Sequence, residues 1–174
     1  MFRMKPYSKI LIYLLVFVAG AAVAIGFGVA TNLNRLPDVE EATMPKTFNQ
    51  MVSEALAEVP TIKPADAYQT VHTNPNTLIV DVRDPADIAF TGMIPGAINV
   101  TLGTLTYKAD HEVPEAWRDP NFADFSRPII TTCETGEMAA LAGKLLKDMG
   151  YTNVHILEGA TVAWKEAGYP TDAR

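Results

Sequence analysis

Apolar and charged positions divide this chain into segments of different character. Ile10 to Ala30 is a run of 21 positions without a charged side chain. Thr31 to Lys46 loses any period and carries Pro37, Pro45 and a group of acidic residues, which predicts a linker over residues 31–46. From Thr47 onward, apolar positions recur at helix or strand spacing. Phe48, Met51, Val52, Ala55 and Leu56 share one helical face, so an amphipathic helix is predicted over Thr47 to Ala57, with Thr47 as N-cap and the apolar face packed on the domain.

Beyond Pro60, short apolar runs alternate with helical patterns. Strands are predicted over Thr77 to Val82, Ala97 to Val100, Pro128 to Thr132 and Val154 to Leu157. Helices are predicted over Pro64 to Val71, Met138 to Met149 and Thr161 to Ala167. Strands separated by helices imply an α/β domain over residues 47–174 with a parallel sheet. Thr101 to Arg127 has no clear period but holds Pro114, Trp117 and Pro120, and is expected to be an ordered excursion that walls a cleft. Trp117 and Trp164 are expected to pack inside.

The N-terminal run is long enough to cross a bilayer, since ~1.5 Å per helical residue carries it through a core of ~30 Å. Arg3, Lys5 and Lys9 precede it, whereas Asp38, Glu40 and Glu41 follow it. The positive-inside tendency then puts the domain outside the cytoplasm, anchored through residues 10–30. The competing reading is a signal peptide spanning residues 1–30, cleaved near Ala22-Val23-Ala24 or Gly28-Val29-Ala30, which leaves a soluble periplasmic or secreted domain.

Composition narrows the chemistry. The chain has 174 residues, a net charge of −6 and no local Lys/Arg cluster, so nucleic acid is not an expected partner. Its one cysteine, Cys133, excludes an internal disulfide, a CxxC pair and a thiolate zinc site. His72, His111 and His155 have no metal-ligand spacing and are expected at the surface or its edge.

Cys133 follows a buried strand pattern and precedes a helix, at the strand end where parallel sheets gather ligands. A thiol at such a turn meets backbone N–H groups without helical partners and the positive end of the helix dipole, both of which stabilise a thiolate. Glu134 and Glu137 oppose this, each by roughly 0.5–1 kcal/mol at about 7 Å in a largely aqueous setting. Asp81 and Arg83 end a strand expected beside this loop, where their pair either shapes the pocket or closes a salt bridge beneath it.

Three blocks carry a family resemblance. Leu78 to Asp84 reads Leu-Ile-Val-Asp-Val-Arg-Asp, Gly92 to Asn99 reads Gly-Met-Ile-Pro-Gly-Ala-Ile-Asn, and Cys133 to Gly136 is followed by Leu157-Glu158-Gly159-Ala160 through Trp164. Over Thr61 to Pro170 the chain resembles the rhodanese family of sulfurtransferases. The resemblance implies a rhodanese-like parallel sheet flanked by helices, here preceded by one N-terminal transmembrane helix. It also implies double displacement: the Cys133 thiolate takes a sulfane sulfur from thiosulfate or a persulfide, holds it as a persulfide, and passes it to a thiol or cyanide. The loop residues Glu134, Thr135, Gly136, Glu137 and Met138 would cradle the anion with their backbone, and no metal or organic cofactor is required. A protein thiol is among the acceptors this chemistry allows.

The departures from the family pattern matter. Where many members carry basic loop residues, often with Arg sixth, this chain has Glu134, Glu137 and Met138. Two carboxylates would weaken thiosulfate binding by about 1–3 kcal/mol, or roughly 10- to 100-fold. Met93 replaces a common His and is read as packing. Ala160 replaces a Gly, a modest change if its φ is negative. The phosphatases of this fold use Cys-x5-Arg, but position 139 is Ala. Without a guanidinium to hold phosphate, that activity is disfavoured. The remaining alternative is a non-catalytic binding or sulfur-sensing module.

Overall fold

The computed structural model describes residues 45–172, so the proposed membrane or signal segment lies outside the described residues. Among those described, no helix is long and apolar enough to cross a membrane. The order is α1 (Phe48–Glu58), β1 (Thr61–Ile62), α2 (Pro64–Thr73), β2 (Leu78–Asp81), α3 (Pro85–Thr91), β3 (Ile98–Asn99) and α4 (Leu102–Lys108). Two single-turn 3₁₀ segments follow, then β4 (Ile129–Thr132), α5 (Glu137–Asp148), β5 (Val154–Leu157) and α6 (Ala160–Glu166).

The strands form one parallel sheet ordered β1-β5-β4-β2-β3. Every residue of β2 and of β4 is buried, as strands covered on both faces require. Alternate side chains feed two cores. Leu78, Val80, Ile129 and Ile156 join Val52, Ala55, Leu105 and Leu146 on one face. Ile79, Ile130 and Leu157 join Ala67, Ile88 and Trp164 on the other. Gly143 lets α5 approach both β5 and α1, since a Cβ there would lie 3.1 Å from Ile156 Cγ1 and 3.3 Å from Val59 Cγ1.

Several expectations require correction. Thr47 caps α1 in a reciprocal box with Gln50, but Phe48, Met51 and Leu56 stay exposed; only Val52 and Ala55 of the helix are buried. The contact with α5 is narrower than the apolar face, so the margins of that face remain in water. The stretch 101–127 is not irregular throughout: α4 occupies its start, with Leu105 buried. Trp117 is 59% exposed rather than packed, whereas Trp164 is buried and donates its indole N–H to the Pro170 carbonyl at 2.8 Å. His111 lies at the edge of the surface as expected, half-buried, with Nε2 2.8 Å from the Phe122 carbonyl. Ala160 has φ of +51°, so the condition of a negative φ is not met.

The narrow footprint of α1 has a testable consequence. Leu56→Ala is expected to change stability by about 0.5 kcal/mol or less. Ala55→Leu, one residue away at a fully buried position, is expected to cost about 1–3 kcal/mol by overpacking. Urea midpoints of the two variants measure the difference.

Candidate active site

The sheet order sets β2 beside β4, with Asp81 level with Thr132. The Val82 N–H donates to the Thr132 carbonyl at 3.0 Å, so Arg83 and Cys133 leave the sheet at the same edge. Cys133 is nearly enclosed, at 3% exposure. Its loop closes into α5 through Gly136, whose φ of +124° suits glycine alone. There the Gly136 N–H donates to Cys133 Sγ at 3.1 Å. Among the described residues it is the backbone donor that reaches the sulfur itself. The Gly136 carbonyl accepts from Ala140. Met138 stands exposed in the first turn of α5.

The outer side of the loop is pinned by α6. The N–H groups of Thr161 and Val162 donate to the carbonyls of Cys133 and Glu134, both at 3.1 Å. Because a trans peptide sets C=O and N–H in opposite directions, fixing these carbonyls turns the N–H groups of Glu134 and Thr135 away from α6. Gly159 and Ala160, at φ +63° and +51°, make the tight entry that brings α6 there. The left-handed Ala160 is thus part of the loop's support.

Arg83 ties the remaining parts together. Its Nε and Nη2 grip Asp81 at 2.9 and 2.6 Å, Nη2 also donates to the Gly92 carbonyl, and Nη1 donates to Thr91 Oγ1 and to Glu134 Oε2 at 2.5 Å. The five guanidinium N–H groups therefore all have acceptors. Burial would depress its pKa, but the hydrogen bond and charge of Asp81, followed by those of Glu134, outweigh this and raise it. The Asn99 amide closes the strand end by donating to the carbonyls of Asp81 and Arg83.

Sequence reasoning brought Asp81, Arg83 and the loop to one place, and the structure brings them together. It treated Glu134 as an uncompensated carboxylate, whereas Glu134 is ion-paired to Arg83 across 51 residues of sequence. It missed Thr91 and Gly92 as partners of Arg83, because no helix was predicted over α3; Pro85 after Asp84 was the available signal. Glu137 forms no ion pair among the described residues. Its pKa is lowered by the Thr135 hydroxyl, at 2.5 Å, and then by its own backbone N–H, against slight desolvation.

These contacts can be tested separately. A Cβ at Gly159 would sit 2.5 Å from the Ala163 Cβ, in a left-handed conformation, so Gly159→Ala is expected to cost about 1–3 kcal/mol in urea unfolding. For Glu137, a folded pKa below the ordinary 4.5 means its stabilisation is present above that pH and disappears as pH falls through the lower folded value. Thr135→Ala should therefore be slightly less stable than wild type at neutral pH, and the gap should close on acidification below the ordinary carboxylate range.

Comparison with known proteins agrees with this architecture. The rhodanese-like domain model matches residues 63–167. A rhodanese domain-containing protein of Drosophila melanogaster is 32% identical over 99 residues, spanning 55% of this chain and 88% of that protein. A sulfurtransferase of Allochromatium vinosum is 30% identical over 95 residues, 55% of this chain and 78% of that one. Among solved structures, a Rhodopseudomonas palustris protein of unknown function, described as a possible tyrosine phosphatase, superposes with a TM-score of 0.67 at 34% identity, covering 74% of this chain and 99% of its own. The polysulfide-sulfur transferase homodimer of Wolinella succinogenes gives 0.59 at 29% identity, covering 73% and 88%. Matched over most of its described length and built on the same strand, loop and helix arrangement, this chain belongs to the rhodanese-like domain family.

Proposed function

We propose that this protein is a sulfurtransferase in which Cys133 carries sulfane sulfur as a persulfide. The observation that carries the reading is the 3.1 Å contact from the Gly136 N–H to a nearly enclosed Sγ at the carboxyl edge of the sheet. That donor stabilises the thiolate that attacks, and the enclosure limits access of water and oxidants to the sulfur. The sulfurtransferase relatives support the same chemistry. The Cys133 thiolate attacks the sulfane sulfur of the donor, the donor's own sulfur bond breaks, and its electron pair leaves with the departing group. An acceptor thiolate then takes the outer sulfur and returns the pair to Cys133.

The charge pattern favours an organic persulfide over thiosulfate as donor. Glu134 is held by Arg83, so Glu137 is the carboxylate at the loop without an ion-pair partner among the described residues. Its field opposes a dianion more than a monoanionic or neutral donor. The possible-phosphatase description of the Rhodopseudomonas protein raises a second reading, but here Ala139 is fully buried where that chemistry needs an Arg, and Arg83 has its donors occupied. The hydrophobic segment at 10–30 supports a location outside the cytoplasm, by membrane anchoring or after signal cleavage.

Intact-protein mass spectrometry tests the proposal. Incubation of the full chain with an organic persulfide should add one sulfur to the wild type and none to Cys133→Ser, and a thiol should remove it. Persistent absence of the added mass with both persulfide and thiosulfate would instead favour the binding or sensing module.

A further inference from the structure

Helix α6 has a task that its own sequence does not secure. It is seven residues long, and its first turn holds the carbonyls of Cys133 and Glu134 through the N–H groups of Thr161 and Val162. The chain enters it through Gly159 and Ala160 in left-handed backbone, a conformation that alanine resists. About two turns of helix do not persist unaided, so contacts from the far end of α6 must hold its first turn against the loop. Trp164 supplies one, buried in the second core with its indole N–H on the Pro170 carbonyl. Lys165 supplies another.

The half-buried Lys165 donates from its ammonium to the Thr91 carbonyl at 2.5 Å, across 74 residues of sequence. Thr91 is the last residue of α3, where carbonyls lack helical partners and cations are favoured. The Thr91 hydroxyl accepts from Arg83 Nη1 at 2.6 Å, and the same nitrogen donates to Glu134 Oε2 at 2.5 Å. These contacts form a closed circuit. It runs from Glu134 through Arg83, Thr91 and Lys165 to α6, and returns through Thr161 and Val162 to the loop.

We infer that Lys165 is a positioning residue for Cys133: by tying α6 to the end of α3 it fixes the frame that sets the loop carbonyls and lays the Gly136 N–H on the sulfur. For its effect on turnover the inference rests on the sulfurtransferase reading. The ammonium is bonded to a backbone carbonyl and acts on the sulfur through α6 on one side and through Thr91 and Arg83 on the other. Removing it leaves the Thr91 carbonyl without this donor and lets α6 shift against the loop. Misplacing reacting atoms by about 1 Å can cost about 100-fold in rate. One lost contact is expected to use part of that range.

The experiment uses the full chain and two readouts. Lys165→Met keeps the aliphatic stem and removes the charge, Lys165→Arg restores a donor, and Thr91→Val cuts the circuit without changing charge. With an organic persulfide donor and a thiol acceptor, Lys165→Met and Thr91→Val should each lower kcat about threefold to tenfold with KM unchanged. Lys165→Arg should stay within about twofold of wild type. The double variant should be no slower than the slower single one, since both changes cut one circuit. The second readout is the Gly136 amide proton resonance in the isotope-labelled chain, which needs no sulfur transfer. It should move upfield in Lys165→Met as the bond to sulfur lengthens, and return in Lys165→Arg. Ala55→Leu, destabilised at a site outside the circuit, should change neither readout.

Wild-type kcat or an unmoved Gly136 resonance in Lys165→Met overturns the inference. So does a loss confined to KM, a loss that disappears at high salt and so marks through-space attraction, or the same loss in Ala55→Leu. If Lys165→Met does not fold, Thr91→Val decides by the same two readouts. If Cys133 takes up no sulfur while the Gly136 resonance still depends on Lys165, the sulfurtransferase reading fails and the positioning role stands.

Discussion

The buried ion pair between Arg83 and Asp81 is the constraint on which the reactive edge of this domain depends. A charge inside protein is costly unless it is paired and hydrogen-bonded, and here both requirements are met by one strand end. Asp81 closes the gap by accepting from Arg83 through both carboxylate oxygens and from its backbone N–H. The guanidinium is then fixed, and its outward donors define where Thr91, Gly92 and Glu134 must stand. Removing Arg83 would leave Asp81 buried without its partner, a change that typically costs about 3–5 kcal/mol. The same residue thus joins β2, the end of α3 and the loop that carries the thiol.

A second support acts from the opposite side. The first turn of α6 holds the carbonyls of Cys133 and Glu134, while Gly136 turns its N–H onto the sulfur. The loop is therefore held through its Glu134 side chain by Arg83 and through its backbone by α6, with Gly136 supplying the turn. A sulfur transfer needs a nucleophile that keeps its position while its bonding partners change, and a doubly supported loop provides this.

Much of this arrangement was legible in the sequence. Fully buried strands such as Ile129–Thr132 and the amphipathic α5 announce themselves by apolar pattern, and Cys133 lies where the two meet. Less visible were contacts between distant residues. Nothing in the local pattern at Glu134 signals a guanidinium 51 positions earlier. Helix α3 escaped because its outward face is apolar, so its side chains carry no amphipathic period, and α4 because seven residues, about two turns, are too few to show one. At Ala160 the left-handed backbone contradicts the residue's own preference, and tertiary contacts from α6 to the loop override it.

The electrostatic consequence is specific. On the sulfurtransferase reading proposed above, with Glu134 bound to Arg83, Glu137 is the carboxylate whose charge would bear on the choice of donor. The direct test is kcat/KM for thiosulfate in Glu137→Gln and in Glu134→Gln, with an organic persulfide as the control donor. The account predicts that Glu137→Gln raises thiosulfate use by about threefold to tenfold and that Glu134→Gln raises it less, with little change for the persulfide in Glu137→Gln. An equal or larger gain in Glu134→Gln, or no gain in Glu137→Gln, would contradict it.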